Sequence, residues 1–249
     1  MAKKEVLLTA EQIEKRKTRL KKTKIGLSVV LLILLGIFLV LSLAFNGGSF
    51  TVSLDPNLYT KSGIVIYDDE ALAEYEHDKR ILYAKELEFM DNISIKWLPD
   101  DIDSSTGGSH NGDNYLAYTF FVENKGTETQ NYWYELYIDD VIKNVDDAVR
   151  IMVILNGEKT VYAKASSLGT AEKDTTMFYS NDQPILESRK GLKANEKDKF
   201  TVVIWLEGDD PECVDNILGG EIKVHMEINE EHIEDSTKID NTENTNTNE

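Results

Sequence analysis

Residues 25–45, IGLSVVLLILLGIFLVLSLAF, form a run of 21 residues without a charge. A helix rises about 1.5 Å per residue, so this run covers roughly 30 Å, the thickness of a bilayer's hydrocarbon core. It has no polar face, so a water-soluble packing would have to bury it on every side. Residues 1–24 carry nine Lys/Arg against three Glu. Positive flanks stay on the cytoplasmic side, so the pattern predicts a cytoplasmic head over 1–24, a single-pass signal anchor over 25–45 and everything after it outside the cell. Thr9 and Gln12 have capping-box spacing, which predicts a helix starting near residue 10. A cleaved signal peptide is the competing reading, because Ser42-Leu43-Ala44 places small residues where signal peptidase cuts. The run is longer than the roughly 7–15 residues of an ordinary signal core, which favours the retained anchor.

The charge changes sign beyond the run. Residues 46–249 hold 18 Lys/Arg and 42 Asp/Glu, a formal −24. Such a surface argues against nucleic acid and anionic lipid as partners, and favours solubility, cations or a basic partner. Cys213 is the one cysteine, so an internal disulfide is excluded. About 180 residues can still bury a self-sufficient core. Residues 229–249 hold seven acidic residues, five Asn and four Thr with little apolar content, which predicts a disordered tail. No wall-sorting signal is legible in it, so surface attachment is expected to rest on the N-terminal helix.

Residues 46–228 read as one β-rich domain. Apolar, β-branched and aromatic runs recur at 63–67, 87–97, 115–123, 132–139, 149–155, 160–165, 200–206 and 221–228, between Gly, Asn, Asp and Pro. Asn156-Gly157 is the strongest hairpin signal. Thr201–Leu206 is apolar on both faces, as in a central strand. In 221–228, Ile222, Val224, Met226 and Ile228 alternate with Glu221, Lys223, His225 and Glu227, which gives one wet face. Helix is expected only within 69–83 and 139–147, with a short turn at 215–219. The expected fold class is mainly β: an antiparallel, jelly-roll-like sandwich behind one transmembrane helix.

Chemistry is sparse. No zinc-protease helix, nucleophile elbow, phosphate loop or dinucleotide fingerprint is present, and the histidines at 77, 110, 225 and 232 are scattered. The densest cluster lies in WLEGDDPECVDNILGG, residues 205–220. Asp209, Asp210, Glu212 and Asp215 are calcium candidates, since that ion takes six to eight hard oxygens that loops at one end of a sandwich can supply. No EF-hand spacing accompanies them, and solvated or turn-capping acids are the alternative. Cys213 reads as a packed thiol, with an intermolecular disulfide or a nucleophile paired with His110 or His225 as alternatives. Its acidic neighbours oppose the nucleophile. The rings at Tyr115, Tyr118, Phe120, Phe121, Tyr132, Trp133, Tyr134 and Tyr137 suit a sandwich core, with a glycan-binding face as the alternative.

Three stretches carry a family resemblance. GGSHNGDNYLAYTFFVENKGTET (107–129), VDDAVRIMVILNGEKTVYAK (145–164) and FTVVIWLEGDDPECVDNILGGEIKVHMEI (200–228) resemble the TasA/camelysin-like secreted β-sandwich proteins of Gram-positive bacteria and their membrane-anchored relatives. The resemblance implies a jelly roll exported behind a hydrophobic segment. It also implies matrix-fibre assembly in some members, which a retained anchor would hinder. Some members carry a peptidase label, but no metalloprotease motif is legible in this chain. In that reading Trp205 ends a core strand, Asp209 or Asp210 caps a short helical turn begun by Pro211, and Cys213 tucks beneath it. Gly219-Gly220 then releases the final strand. The expected function is non-enzymatic: contacts with other surface or matrix proteins, or with itself, and no cofactor.

Overall fold

The computed structural model describes residues 10–44, 50–71, 79–87 and 89–230. Thr9, Phe45 and the tail from residue 231 lie outside them, as do the side chains of 10–14, 18 and 39–44. The expected capping box, cleavage site and tail disorder therefore fall wholly or partly outside the described residues. The chain divides into two units, 1–47 and 48–249. The first holds α1 (Ala10–Ala44). From Ile25 to Phe38 its large apolar side chains are all exposed. Among the described residues no helix is long and apolar enough to cross a membrane.

The second unit is mainly β, in two sheets. In chain order the strands are β1 (Thr51–Leu54), β2 (Ile64–Tyr67), β3 (Ile81–Tyr83), β4 (Asn92–Ile93), β5 (Gly108–Ser109), β6 (Tyr115–Asn124) and β7 (Gln130–Ile142). They continue with β8 (Val149–Leu155), β9 (Glu158–Ala163), β10 (Thr176–Met177), β11 (Ile185–Leu192), β12 (Lys197–Glu207) and β13 (Glu221–Asn229). One sheet has the order β11-β7-β13-β1-β3. The other is β10-β9-β8-β12-β6-β2, with β4 added to β12 and β5 to β6. Val52, Leu136, Met226 and Ile228 from the first meet Ile66, Phe120, Val153 and Val202 from the second in one buried cluster. At about 25 cal/mol per Å² this apolar burial supplies the main driving force for closing the sandwich.

Several expectations hold in detail. β8 covers 149–155 as read. Asn156 and Gly157 form the hairpin to β9 with φ of 53° and 88°, the left-handed pair that a two-residue turn demands. β12 is central, between β6 and β8. Its second face packs on a smaller cluster in which Trp205, Val203, Ala117 and Met152 are covered by Ile93 and Ile102 of the 92–104 segment. β13 buries Val224, Met226 and Ile228 and leaves the alternate positions wetter.

Other expectations need correction. The run 87–97 is not a strand. Among its described residues it yields only β4 and a 3-10 turn at Ile95–Trp97, because the Ser94 side chain accepts from the Lys96 N–H and redirects the backbone. The segment 139–147 continues β7 to Ile142 and then makes a 3-10 turn at Val145–Asp147. In 69–83 the described part contains β3, and 72–78 lie outside the described residues. The sheets are not wholly antiparallel, since β1 runs parallel to β13, β10 to β9 and β4 to β12. β1, β3 and β11 were not legible, being short or heavily charged.

The pairing also fixes two ends. β1 pairs with the second half of β13, Thr51 beside His225 and Leu54 beside Ile228, while the first residue of β13, Glu221, faces Ile142 at the end of β7. The end of β12, the start of β8 and the end of β9 lie at the same end, here called proximal. Asn156-Gly157, the Asn124–Gln130 connection and Asn229 lie at the distal end.

Candidate functional site

The connection from β12 to β13, residues 208–220, is organised by buried carboxylates. Trp205 is fully buried, and its indole N–H donates to Glu207 Oε2 at 3.0 Å. The same oxygen accepts from the Ile95 N–H at 3.1 Å, while Oε1 accepts from the Asp209 N–H at 3.2 Å. Glu207 thus ties the strand end to the 92–97 segment and to its own turn. Asp210 is buried against the Arg150 guanidinium, and its Oδ1 accepts from the Glu212 N–H at 2.7 Å. Asp210 is therefore the capping residue. The Cys213 N–H returns to the Asp210 carbonyl at 3.0 Å, which closes a turn around Pro211. The 3-10 helix itself begins only at Asp215, so Pro211 opens this preceding turn instead of the helix.

Gly219 takes φ of 68°, the left-handed conformation that ends the turn. At Gly220 the reason is space: a Cβ there would meet the Ile142 carbonyl oxygen at 2.8 Å and Val145 Cβ at 2.9 Å.

The four calcium candidates do not converge. Asp209 is exposed and accepts from Ser94 Oγ at 2.8 Å and Lys96 Nζ at 3.2 Å; the Ser94 bond, then the lysine, holds its carboxyl below the ordinary range. Asp215 is exposed on the 3-10 turn. Asp210 and Glu212 do meet, joined by Glu172, with one ligand oxygen from each within 4.8 Å of the others. Glu172, Arg150 and Glu207 escaped the sequence reading. Burial, then Asp210, push the Glu172 carboxyl up, and Arg150 opposes the shift. Protein donors already engage part of this set. Arg150 already supplies positive charge, with Nη2 3.9 Å from Glu172. Glu212 Oε1 also accepts from the Ser167 N–H at 2.6 Å. Three of the six carboxylate oxygens are thus held by protein donors.

Cys213 is half-buried, packs against the main core and accepts from Asn92 Nδ2 at 3.4 Å. Burial pushes its thiol up, and Asp210, Glu207 and Asp91 add to the shift. Neither histidine faces it. The His110 ring nitrogens lie 3.2 Å from the Gly108 carbonyl and 3.1 Å from that of Ile102. His225 lies 2.8 Å from Asp139 and 3.5 Å from Glu227. Among the described residues, therefore, no histidine stands beside the thiol as its base.

The aromatic group divides between core and surface. Tyr118, Phe120 and Tyr132 are buried, Phe120 stacked on Phe200 at 5.1 Å. Tyr134 packs on the core edge-on to Phe200, Tyr115 packs on the smaller cluster, and Phe121 stacks on Tyr67 at 5.3 Å. Trp133 and Tyr137 alternate with these core positions on β7, and Tyr137 is covered by a stacked His225 at 5.2 Å. Another buried carboxylate, Asp198, accepts from Tyr132 Oη at 2.7 Å, Asn156 Nδ2 at 2.7 Å and Arg189 Nε at 2.9 Å. It joins the two sheets at the distal end.

No protein-family model matches this chain, and no curated protein matches it. Among solved structures, a β-glucosidase from Kluyveromyces marxianus is similar over 66% of this chain and 16% of that one, with 12% identity and a TM-score of 0.22.

Proposed function

We propose that this chain is a non-enzymatic membrane protein, anchored through residues 25–45 with its head in the cytoplasm. Its jelly-roll-type sandwich then acts outside the cell, through contacts with other surface or matrix proteins or with further copies of itself. The observation that carries the reading is the uncharged 21-residue run behind a basic head, joined to a domain with its own core. A helix apolar on all sides and exposed from Ile25 to Phe38 suits lipid as its solvent. The TasA/camelysin-like resemblance points the same way.

The acidic groups at the heart of 205–220 are engaged within the segment and by its neighbours: Glu207 by Trp205 and Ile95, Asp210 by Arg150, Glu212 by Ser167. Such an arrangement holds a turn and needs no cofactor. Sheet edges bear on self-assembly. β2, β3 and β10 are short, and β11 carries Glu187, Arg189 and Lys190 with a bulge before Leu192. These features blunt edge-to-edge addition, so an anchored monomer is favoured over a free fibre subunit.

The test is the mass of the native protein in alkali-washed membranes and in culture medium. A full-length chain retained in the membranes is expected. A shortened chain in the medium, starting near Phe45, would replace this reading with a released, polymerising matrix subunit.

A further inference from the structure

A single cysteine leaves the sandwich no internal disulfide. A lysine amine and a carboxyl group can supply a covalent tie of another kind, an amide. Lys164 Nζ lies 2.6 Å from Asp146 Oδ2 and 2.7 Å from Asp147 Oδ1. The Asp146 side chain is 8% exposed, that of Lys164 24% and that of Asp147 35%. Other lysine pairs are more open: Lys96 with Asp209 and Lys197 with Glu70 both lie on the surface. One amine therefore faces two carboxylates in a partly dry site, one of them sequestered and the other in reach of water.

Both partners stand on fixed backbone. Asp146 and Asp147 belong to the 3-10 turn that leads into β8, and that turn is seated by the buried Val145 and Ala148. Lys143 and Asn144 before it take φ of 60° and 53°, a left-handed pair that turns the chain from β7 toward this position. Lys164 follows Ala163, which is fully buried and faces Arg150 in the last pair of the β8–β9 ladder. The three side chains thus meet at the open end of the hairpin, where backbone pairing stops. Beyond β9 the sheet holds only the two-residue β10, so this end has little other support.

We infer that Lys164 and Asp146 condense into an intramolecular amide, with Asp147 as the proton relay. Burial works against the Lys164 ammonium, but its hydrogen bonds to Asp146 and then Asp147 outweigh burial and raise its pKa. The resting site is therefore an ion pair, and the first step is loss of an ammonium proton to Asp147, which passes it to the Asp146 carboxylate. The Nζ lone pair then attacks Asp146 Cγ and forms the C–N bond. A second Nζ proton travels through Asp147 to the departing hydroxyl, the C–O bond breaks and one water leaves. Asp147 ends as it began, one positive and one negative charge disappear together, and no oxidant or cofactor is consumed. Holding the groups in contact supplies an effective concentration that reaches about 10⁵ M or more in well-oriented cases, enough to drive a condensation that is unfavourable between free solutes. The step needs to occur only once in the life of each chain. The product closes the loop from 146 to 164 and restrains the unfolded chain as a disulfide would. The inference holds for an anchored or a released chain alike.

The test is a tryptic map of the native chain, denatured before digestion and read by mass spectrometry. Trypsin cuts after lysine and arginine, and an acylated lysine resists it. The expected product is residues 144–150 joined to residues 160–173, uncut after Lys164 and lighter than the two peptides together by one water. Fragmentation should place the branch on Asp146. Lys164→Arg keeps the positive charge but should give the two segments unjoined, with a lower melting temperature. Asp147→Ala should slow formation of the branched peptide by about a hundredfold or more, the loss expected of a proton-transferring group. Separate peptides 144–150, 160–164 and 165–173 from the native chain would overturn the amide and leave the three side chains an ion pair. A branched peptide formed equally fast in Asp147→Ala would overturn the relay. The native map decides the amide even where a variant fails to fold.

Discussion

Two buried carboxylates, one at each end of the sandwich, do different work. At the distal end Asp198 is fully buried and bonded to Tyr132 and Arg189 of one sheet and to Asn156 of the other sheet's hairpin. At the proximal end Asp210 is equally sequestered, but its partners are Arg150 on β8 and the backbone of its own turn. The first closes the sandwich. The second ties one connection to β8. The difference shows that a buried charge matters according to how many independent elements it joins.

The largest expected effect follows from Asp198. Asp198→Ala strands the Arg189 and Tyr132 donors and should cost roughly 3–5 kcal/mol. The shift in denaturation midpoint measures it, and a loss below about 1 kcal/mol would end the contrast between the ends. Arg150→Met should cost less, roughly 3 kcal/mol, because Asp210 keeps its backbone donor. Adding Asp210→Leu should recover most of that loss; failure to recover would mean that the pair also positions more distant elements.

Glycines sharpen the proximal side. Gly220→Ala forces a Cβ against the Ile142 carbonyl and should cost about 1–3 kcal/mol. Gly219→Ala has room but a left-handed backbone, so roughly 1 kcal/mol is expected. Equal losses in thermal denaturation would show that strain, not packing, governs this turn.

His225 gives a smaller, pH-dependent effect on the outer face between the ends. The hydrogen bond to Glu227 and the Asp139 partner raise its pKa against burial, and the same bond lowers that of Glu227. The histidine's contribution is complete below its ordinary value of 6.5 and fades as pH rises through its raised folded value. The glutamate's is complete above its ordinary 4.5 and fades as pH falls through its depressed folded value. The pair should therefore stabilise most between about pH 4.5 and 6.5. His225→Gln should flatten the melting temperature across that range and above it; an unchanged profile would count against the pair.

The smallest effect is at Cys213. Its raised thiol should alkylate more slowly than free cysteine at pH 7 and regain a normal rate on unfolding. Equal rates in the folded protein would argue that this connection opens readily.

Much of the fold was legible where local pattern and tertiary demand coincide. The bounds of β8, the Asn156-Gly157 turn and the alternation of β13 follow from side-chain period and left-handed turn chemistry, which operate over a few residues. β1 and β3 were missed because a strand of three or four residues carries too little period to distinguish it from loop. β11 was missed because its charges, suited to an edge, read as surface coil. At the candidate site, Asp210 and Glu212 could be named from local density. Their partners Arg150 and Glu172 lie 60 and 38 positions from Asp210, and nothing in the sequence links them.

The sequence by itself determined the uncharged run, the reversal of charge around it and the β-rich character of the domain. Hydropathy and short-range periodicity are properties of neighbouring residues. Only the tertiary structure decided that β1 runs parallel to β13, that Arg150 meets Asp210, and that Asp198 bridges the two sheets. Each of these is a meeting of segments distant along the chain, set by strand register and by the closing of the apolar faces on one another.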